Sequence, residues 1–206
     1  TGAPPPPADA ESYVLTGNVH WSRATEAERA AVIAAFATNR SIGIVGMANA
    51  LVVEKVAVEW GRVLCTNGAI TALNLESNSV GSAGMEAIAG ALRHNTTLRE
   101  LKLSNQFSPC STAAEEALAD ALEVNHRVTR LTVDLRTPHA RDRKDKYLSR
   151  NKQEERERLK AAGAGGASAA VAPPGGRAQT AQQPALGHAA LSKPAKPVRR
   201  QRGGND

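Results

Sequence analysis

The sequence predicts an α/β fold: a short right-handed leucine-rich-repeat solenoid of about four βα repeats, capped by a C-terminal helix. The parallel sheet is expected on the concave side and the helices on the convex side. Three observations predict this fold. An asparagine recurs at intervals of 28, 28 and 30 residues, apolar positions keep register with it, and a helical pattern separates successive strand patterns. A period of ~20 to 29 residues with this strand pattern is typical of leucine-rich repeats.

Each repeat asparagine follows a helical pattern and precedes a strand pattern. The four are Asn39, Asn67, Asn95 and Asn125. Apolar residues stand three, six and eight positions after every one of them, and three and seven positions before it, which makes twenty matched positions. Because a βα unit of a solenoid buries its apolar side only against its neighbours, we expect all twenty in one core.

Residues 1–21 read as a proline-rich segment followed by a cap on the first repeat. The run of four prolines at 4–7 favours a linker. Beyond it, apolar cover for the first helix is expected from Tyr13, Val14, Leu15 and Trp21. The repeat domain follows over residues 22–137.

Two helices of the repeat domain are predicted to begin with a capping box. Thr25 with Glu28 and Thr112 with Glu115 have the Thr-x-x-Glu spacing of this motif.

Residues 138–162 predict a long charged helix. Asp142 with Lys146 and Glu154 with Arg158 have the i,i+4 spacing that supports a solvated helix. Tyr147 and Leu148 are expected to anchor this helix on the last repeat. Residues 163–206 are rich in Ala, Gly, Pro and Gln and lack apolar periodicity, so we expect a basic low-complexity tail that is disordered when alone.

The positive charge of the chain is confined to its last third. Residues 1–137 hold 11 Lys and Arg against 14 Asp and Glu, or −3, whereas residues 138–206 hold 15 against 6, or +9. Such asymmetry favours contact with an acidic surface, whether a filament, a nucleic acid or a membrane. Nucleic acid is the less favoured partner because the tail has no aromatic residue for base stacking.

Several classes of protein do not fit the sequence. Cys65 and Cys110 lie far apart without a metal-binding spacing, which favours reduced thiols in an intracellular protein. No run approaches the ~18 apolar residues of a membrane span, so membrane insertion is not expected. No nucleophile and base form a known motif, and no phosphate loop occurs. We therefore expect no enzyme, catalytic residue, metal or cofactor.

The middle of the chain resembles a known family. The stretches "LNLESN" at 73–78, "ALRHNTTL" at 91–98 and "LSNQ" at 103–106 closely resemble the C-terminal leucine-rich-repeat domain of tropomodulins and leiomodins, which bind the pointed end of actin filaments. Arg141, Arg143, Leu148 and Asn151 look like the arginine-rich helix that closes that domain. The resemblance covers about residues 22–158.

This resemblance implies a non-catalytic, cytoplasmic and cytoskeletal protein-binding module with actin as its partner. In the family, an actin-binding site independent of tropomyosin is formed by loops at the sheet edge and by the C-terminal helix. The residues implicated here are Glu76, Asn78, Gln106, Phe107, Arg136, Arg141, Arg143 and Asn151. For Asn78 the residues themselves leave two roles open: contact with a partner, or a turn asparagine bonded to its own backbone.

The sequence also departs from the family. The family's N-terminal region with its tropomyosin-binding helices is absent from this sequence, and "TVDLRTPHA" at 132–140 replaces an aromatic, glycine-containing connection. The missing tropomyosin-binding helices favour an alternative function. In that alternative the domain is a structural scaffold subunit of a large assembly such as a ciliary axoneme, with its tail threaded over neighbouring axonemal subunits.

Overall fold

The computed structural model describes residues 5–7 and 9–166, with side chains through residue 162. The strands are β1 (Ser12–Val14), β2 (Ile44–Gly46), β3 (Ala72–Asn74), β4 (Glu100–Lys102) and β5 (Arg130–Thr132). The helices are α1 (Val19–Arg23), α2 (Glu26–Ala35), α3 (Glu54–Thr66), α4 (Gly81–Leu92), α5 (Thr112–Val124) and α6 (Pro138–Gly166). One strand alternates with one helix from β2 onward, as the repeat pattern predicts.

The five strands form one parallel sheet in chain order. Their central residues, Tyr13, Val45, Leu73, Leu101 and Leu131, lie side by side across it. The predicted register is therefore confirmed. The sheet has one strand more than the four repeats, because residues 12–14 pair with β2 although no repeat asparagine precedes them.

The apolar residues of the N-terminal cap alternate between the core and the solvent, as in a β-strand, whereas all of them were expected to cover the first helix. Leu15 and Trp21 are buried, and the Tyr13 ring packs edge-on against Phe36 at 5.5 Å between centroids. The expectation for Val14 was wrong, since its side chain is 62% exposed. Successive strand residues point to opposite faces, so Val14 faces away from the core that Tyr13 packs against.

The apolar repeat positions form a single core. All twenty are buried except Val133 in the last repeat, which is partly buried against the core. Helices α2 to α6 pack against one another in chain order. Helix α3 lies against the backbone of α4 at Gly61, where an added Cβ would lie 2.7 Å from the carbonyl carbon of Ala87. A glycine at this point is what lets α3 and α4 pack so closely.

The repeat asparagines join the repeats to one another. The Asn95 Oδ1 accepts hydrogen bonds from the backbone N–H groups of Thr97 and Leu98, while its Nδ2 donates to the Leu64 carbonyl of the preceding repeat at 2.8 Å. Asn67 and Asn125 make the same set of bonds, and Asn39 bonds in the same way to the turn that follows it. We call these four residues the asparagine ladder. It satisfies backbone groups at the helix-to-strand turns that no sheet or helix could satisfy.

One of the two predicted capping boxes is present. Thr25 and Glu28 make both reciprocal bonds at the start of α2. The box at Thr112 and Glu115 was wrong, because Ser111 is the N-cap residue of α5 and accepts from the Ala114 N–H.

Helix α6 closes the C-terminal end of the repeats. Tyr147 and Leu148 are buried as expected, and the Arg150 guanidinium stacks 5.0 Å from the centre of the Tyr147 ring. The helix extends to Gly166, four residues beyond its expected end at 162. The tail expected to be disordered begins at residue 163; residues 163–166 belong to α6, and residues 167–206 lie outside the described part of the chain.

Candidate functional site

The loops that follow the strands share one turn. Asn49, Ser77 and Asn105 occupy the same position in successive repeats and have left-handed φ angles of 49°, 55° and 58°. Asparagine and serine reach this conformation more easily than bulky residues do. The Asn49 N–H donates to the Glu76 carbonyl, and the Ser77 N–H donates to the Ser104 carbonyl. The loops are thus bonded in a row along the carboxyl edge of the sheet.

Asn78 lies inside this row of loops rather than on its surface. It is 1% exposed, its Oδ1 accepts from the N–H groups of Ala50 and Val52, and its Nδ2 donates to the Met47 and Leu75 carbonyls. The expectation that Asn78 contacts a partner is therefore corrected. All of its hydrogen-bonding capacity is used within the domain, so its role is to hold two loops together.

Gln106 repeats this role one repeat later. Its Oε1 accepts from the Val80 N–H at 3.0 Å, and its Nε2 donates to the Leu75 carbonyl at 2.9 Å. Asn78 and Gln106 stand at the same repeat position, and the extra methylene of glutamine does not break the pattern. The half-buried Gln106 side chain is committed to the frame of the loops.

Asn151 is likewise internal and does not face a partner. It is 0% exposed, and its Nδ2 donates to the carbonyls of Asn125 and Val128 at 2.8 Å each. Helix α6 thus adds a further asparagine to the end of the asparagine ladder, where a next repeat would stand. This position caps the last repeat, which corrects its assignment to a binding surface.

Arg143 is held by acidic residues of α5. Its guanidinium lies 3.3 Å from Glu116, 2.7 Å from Asp120 and 2.8 Å from Glu123, and its side chain is 18% exposed. The hydrogen bond to Asp120 raises the pKa of Arg143, against the opposing effect of burial. Arg143 therefore fastens α6 to the last repeat, and little of it is left for a partner.

Glu115 fastens the loop before α6 from inside. Its carboxylate is buried and accepts from the backbone N–H groups of Arg136 and Thr137. Burial alone would raise the pKa of Glu115, but the hydrogen bonds from Thr137 and Arg136 outweigh it, so the pKa lies below its usual value. Nearby, Asp134 accepts from the Asn105 N–H at 2.6 Å and replaces the carbonyl that a further loop would offer.

The remaining predicted residues lie on the surface of the carboxyl edge. Phe107 is 71% exposed, although its N–H is bonded to the Asn78 carbonyl. Arg136 and Arg141 are exposed, and an Arg141 Nη2 lies 3.5 Å from the Arg136 carbonyl. Glu76 is half-buried and accepts the Ser104 hydroxyl. We call Glu76, Phe107, Arg136 and Arg141 the loop-edge surface. Its features are one exposed aromatic ring and two guanidinium groups that form no salt bridge within 4 Å to a carboxylate of the described residues, although the charge of Arg136 acts on Glu115.

Metal sites and membrane-spanning helices are not found among the described residues. No group of three or more His, Cys, Asp and Glu side chains within residues 5–7 and 9–166 could hold a metal ion. No helix in the same part of the chain is long and apolar enough to cross a membrane. Cys65 and Cys110 are both free thiols.

The comparison with protein families decides the relationship of the chain. The family model of the TMOD/LMOD leucine-rich domain matches residues 19–154. The chain belongs to this family. The resemblance of its middle stretches to tropomodulins and leiomodins is thereby confirmed.

Individual members of the TMOD/LMOD family agree with this assignment. Human leiomodin-3 is 32% identical over 120 residues, and rat leiomodin-2 is 30% identical over 120 residues. These alignments cover 58% of this chain but only 21% and 22% of the relatives, so the chain spans about a fifth of their length.

Two solved structures share the fold. The structure of leiomodin-1 actin-binding site 2 is 26% identical, with a TM-score of 0.70, over 76% of this chain and 88% of that one. The structure of the Caenorhabditis elegans tropomodulin C-terminal domain has a TM-score of 0.62 over 76% of this chain and 91% of that one. It is 24% identical and therefore supports the fold alone. The predicted solenoid with its closing helix is therefore the fold of this family.

Sequence reasoning missed the residues that attach α6 of this TMOD/LMOD domain. Arg150 donates to the carbonyls of Leu122, Glu123 and Asn125, and Glu115 anchors the preceding loop. A charged residue in a charge-rich helix carries no sign of its partner. One signal in the sequence could have indicated the attachment of α6. Asn151 follows Asn125 by 26 residues, which is close to the interval between the repeat asparagines.

Proposed function

We propose that this domain is a non-catalytic module that binds actin through the loop-edge surface. The likeness to leiomodin-1 actin-binding site 2 carries the proposal, because 88% of that structure is matched at a TM-score of 0.70. Because nearly the whole of that chain is matched, the likeness extends to the actin-binding unit as a whole rather than to a fragment of it. The site and its partner are inferences from this likeness.

The chemistry of the loop-edge surface suits a protein partner. Aromatic residues and arginine are enriched at the centres of protein interfaces. Phe107 offers an apolar side chain that no neighbour covers. Arg136 and Arg141 offer planar donors for carboxylates of the partner. The bonded row of loops holds these groups in place, so binding requires little ordering of the domain.

Co-sedimentation of residues 1–206 with actin filaments tests the proposal. We expect saturable binding that weakens at least tenfold in the triple variant Phe107→Ala, Arg136→Gln, Arg141→Gln. A single hot-spot residue contributes about 2 kcal/mol, or about thirtyfold in affinity, so one such residue among the three is enough for a tenfold loss. Glutamine is chosen so that no negative charge is added near Glu115.

A matched control separates the surface from general loss of charge. Val124, Arg40 and Arg23 are exposed residues outside the loop-edge surface. The variant Val124→Ala, Arg40→Gln, Arg23→Gln has the same loss of one apolar side chain and two charges and should bind as the unaltered chain does. Equal weakening in both variants, with unchanged thermal melts, would refute the loop-edge surface as the binding site.

With this activity we also propose a cytoplasmic location on the cytoskeleton. The relatives and structures named above do not point to an axoneme, so the axonemal scaffold, its ciliary location and its axonemal partners receive no support. No described residue group suggests catalysis or a cofactor, and we propose none.

A further inference from the structure

A second charged surface lies at the opposite edge of the sheet from the loop-edge surface. Arg99, just before β4, Arg127, before β5, and Arg158, on α6, line one cavity of about 240 Å³ together with Glu155 and Leu159. We call these five residues the arginine pocket. Between Arg141 and Arg158 the helix advances about 25 Å, at about 1.5 Å per residue, so α6 carries the two surfaces at well-separated points.

The positive charge of the arginine pocket is only partly balanced. The Arg99 Nε lies 3.9 Å from Glu155, a long contact that leaves most of its guanidinium free. Arg158 contacts Glu154 at 3.5 Å and donates to the His126 carbonyl. Arg127 has no carboxylate partner within the described part of the chain. Three guanidinium groups therefore face one pocket carboxylate.

The electrostatics of Arg99 agree with this imbalance. The pKa of Arg99 lies below its usual value. The largest cause is burial, and the positive charges of Arg127 and Arg158 lower the pKa further, whereas Glu155 opposes them. Guanidinium groups held this close favour an anion between them, and arginine binds phosphate oxygens in a bidentate manner.

The basic surface continues past Glu155. A neighbouring cavity is lined by Thr129, Arg130, Lys152, Glu155 and Arg156. Arg130 is paired with Glu100 at 3.1 Å, whereas Lys152 and Arg156 are exposed. The combined surface thus offers several phosphate-binding side chains around two small cavities.

The apolar component of the arginine pocket favours one class of ligand. Leu159 is 68% exposed beside the three arginines. Basic side chains around an exposed leucine are the combination that binds the interface of an anionic membrane. A single-stranded nucleic acid would favour aromatic stacking residues, and no residue lining the two cavities is aromatic.

We propose that the arginine pocket binds the phosphorylated headgroup of an anionic lipid of the phosphoinositide class, with Leu159 entering the membrane interface. The inference stands apart from actin binding, because it uses the other edge of the sheet and none of the residues of the loop-edge surface. It makes the domain able to contact a membrane through one edge and a protein through the other.

Vesicle sedimentation with residues 1–206 tests this proposal. One set of vesicles contains phosphatidylinositol 4,5-bisphosphate, and the other contains phosphatidylserine at matched total charge. General attraction of the basic tail is equal for both sets, so the ratio of the two affinities reports the pocket. We expect a ratio of tenfold or more for the unaltered chain.

The variant Arg99→Gln, Arg127→Gln should bring this ratio close to one. General attraction to an anionic surface, about fivefold per basic group, is lost equally on both sets of vesicles, so a change in the ratio reports the contacts with the phosphorylated headgroup alone. Arg40→Gln, Arg23→Gln is the control that removes the same charge elsewhere and should keep the ratio. A ratio near one for the unaltered chain, or an unchanged ratio in the pocket variant, would overturn the proposal.

Leu159 distinguishes a lipid from a soluble phosphate. Leu159→Gln, which removes the apolar side chain without adding charge to the pocket, should weaken vesicle binding at least fivefold and leave binding of inositol hexakisphosphate unchanged in calorimetry. Vesicle binding that is indifferent to this substitution would contradict a membrane ligand and identify the pocket as a site for soluble polyphosphates.

Discussion

Replacing Asn95 by alanine tests how the asparagine ladder holds the repeats together. The substitution removes the bonds to the Leu64 carbonyl at 2.8 Å and to the N–H groups of Thr97 at 3.0 Å and Leu98 at 2.8 Å. Asn95 is 6% exposed and Leu98 is 0% exposed, so water cannot readily replace the lost partners. At about 1 kcal/mol per bond, and more for a donor left unpaired, we expect the free energy of unfolding to fall by about 3 to 4 kcal/mol.

Urea unfolding followed by circular dichroism measures this loss. The midpoint should shift while the slope m stays constant, because the folded surface is unchanged. Asn39→Ala is the matched control at the same repeat position. Asn39 is only half-buried and its bonds lie at the first turn, so about 1 kcal/mol is expected. Equal losses for Asn95→Ala and Asn39→Ala would refute the view that the buried bonds between repeats stabilise the solenoid.

Three further predictions concern the attachment of α6, the loss of stability at low pH and the contact between α3 and α4. Arg143→Glu should lower the free energy of unfolding by about 2 kcal/mol, because it replaces three ion pairs by repulsion. The control Arg141→Glu should lower the free energy of unfolding by less than about 0.5 kcal/mol. Equal urea midpoints for the two variants would contradict this. The folded-state pKa of Glu115 is lowered from 4.5, so its stabilising contribution is complete above that pH and is lost as pH falls towards the folded-state pKa. In Glu115→Gln the free energy of unfolding should therefore fall less steeply with pH below about pH 4.5. The same pH dependence in the variant and the unaltered chain would exclude this role of Glu115. Gly61→Ala should destabilise by about 1 to 3 kcal/mol through the clash with Ala87, while Gly68→Ala, with no atom within 4 Å of the added Cβ, should stay within about 0.5 kcal/mol.

The fold could be predicted from the sequence because burial repeats. Leu73, Leu101 and Leu131 recur in register, and every repeat must bury the same positions against its neighbours. The strand at residues 12–14 escaped prediction because a single edge strand has no repeat of its own to reveal it. Only its pairing with β2, which depends on the whole sheet, makes it a strand.

The site was less predictable, because exposure depends on contacts between distant residues. Arg141 and Arg143 look equivalent in the sequence, yet one is exposed and the other is enclosed by α5. Asn78 and Asn151 look like polar surface residues, yet each satisfies backbone groups some 23 to 31 residues away. Polarity alone indicates a need for hydrogen-bond partners and does not say whether these come from the domain, from water or from another protein.

Hydrogen–deuterium exchange of residues 1–206 with and without saturating actin filaments tests the central claim most directly. The proposed site predicts slower exchange in the loop around Phe107 and in the segment from Asp134 to Arg141, with the turns at Asn95 and Asn125 unchanged. Protection confined to those turns, or no protection at any point of the domain, would contradict binding of actin through the loop-edge surface.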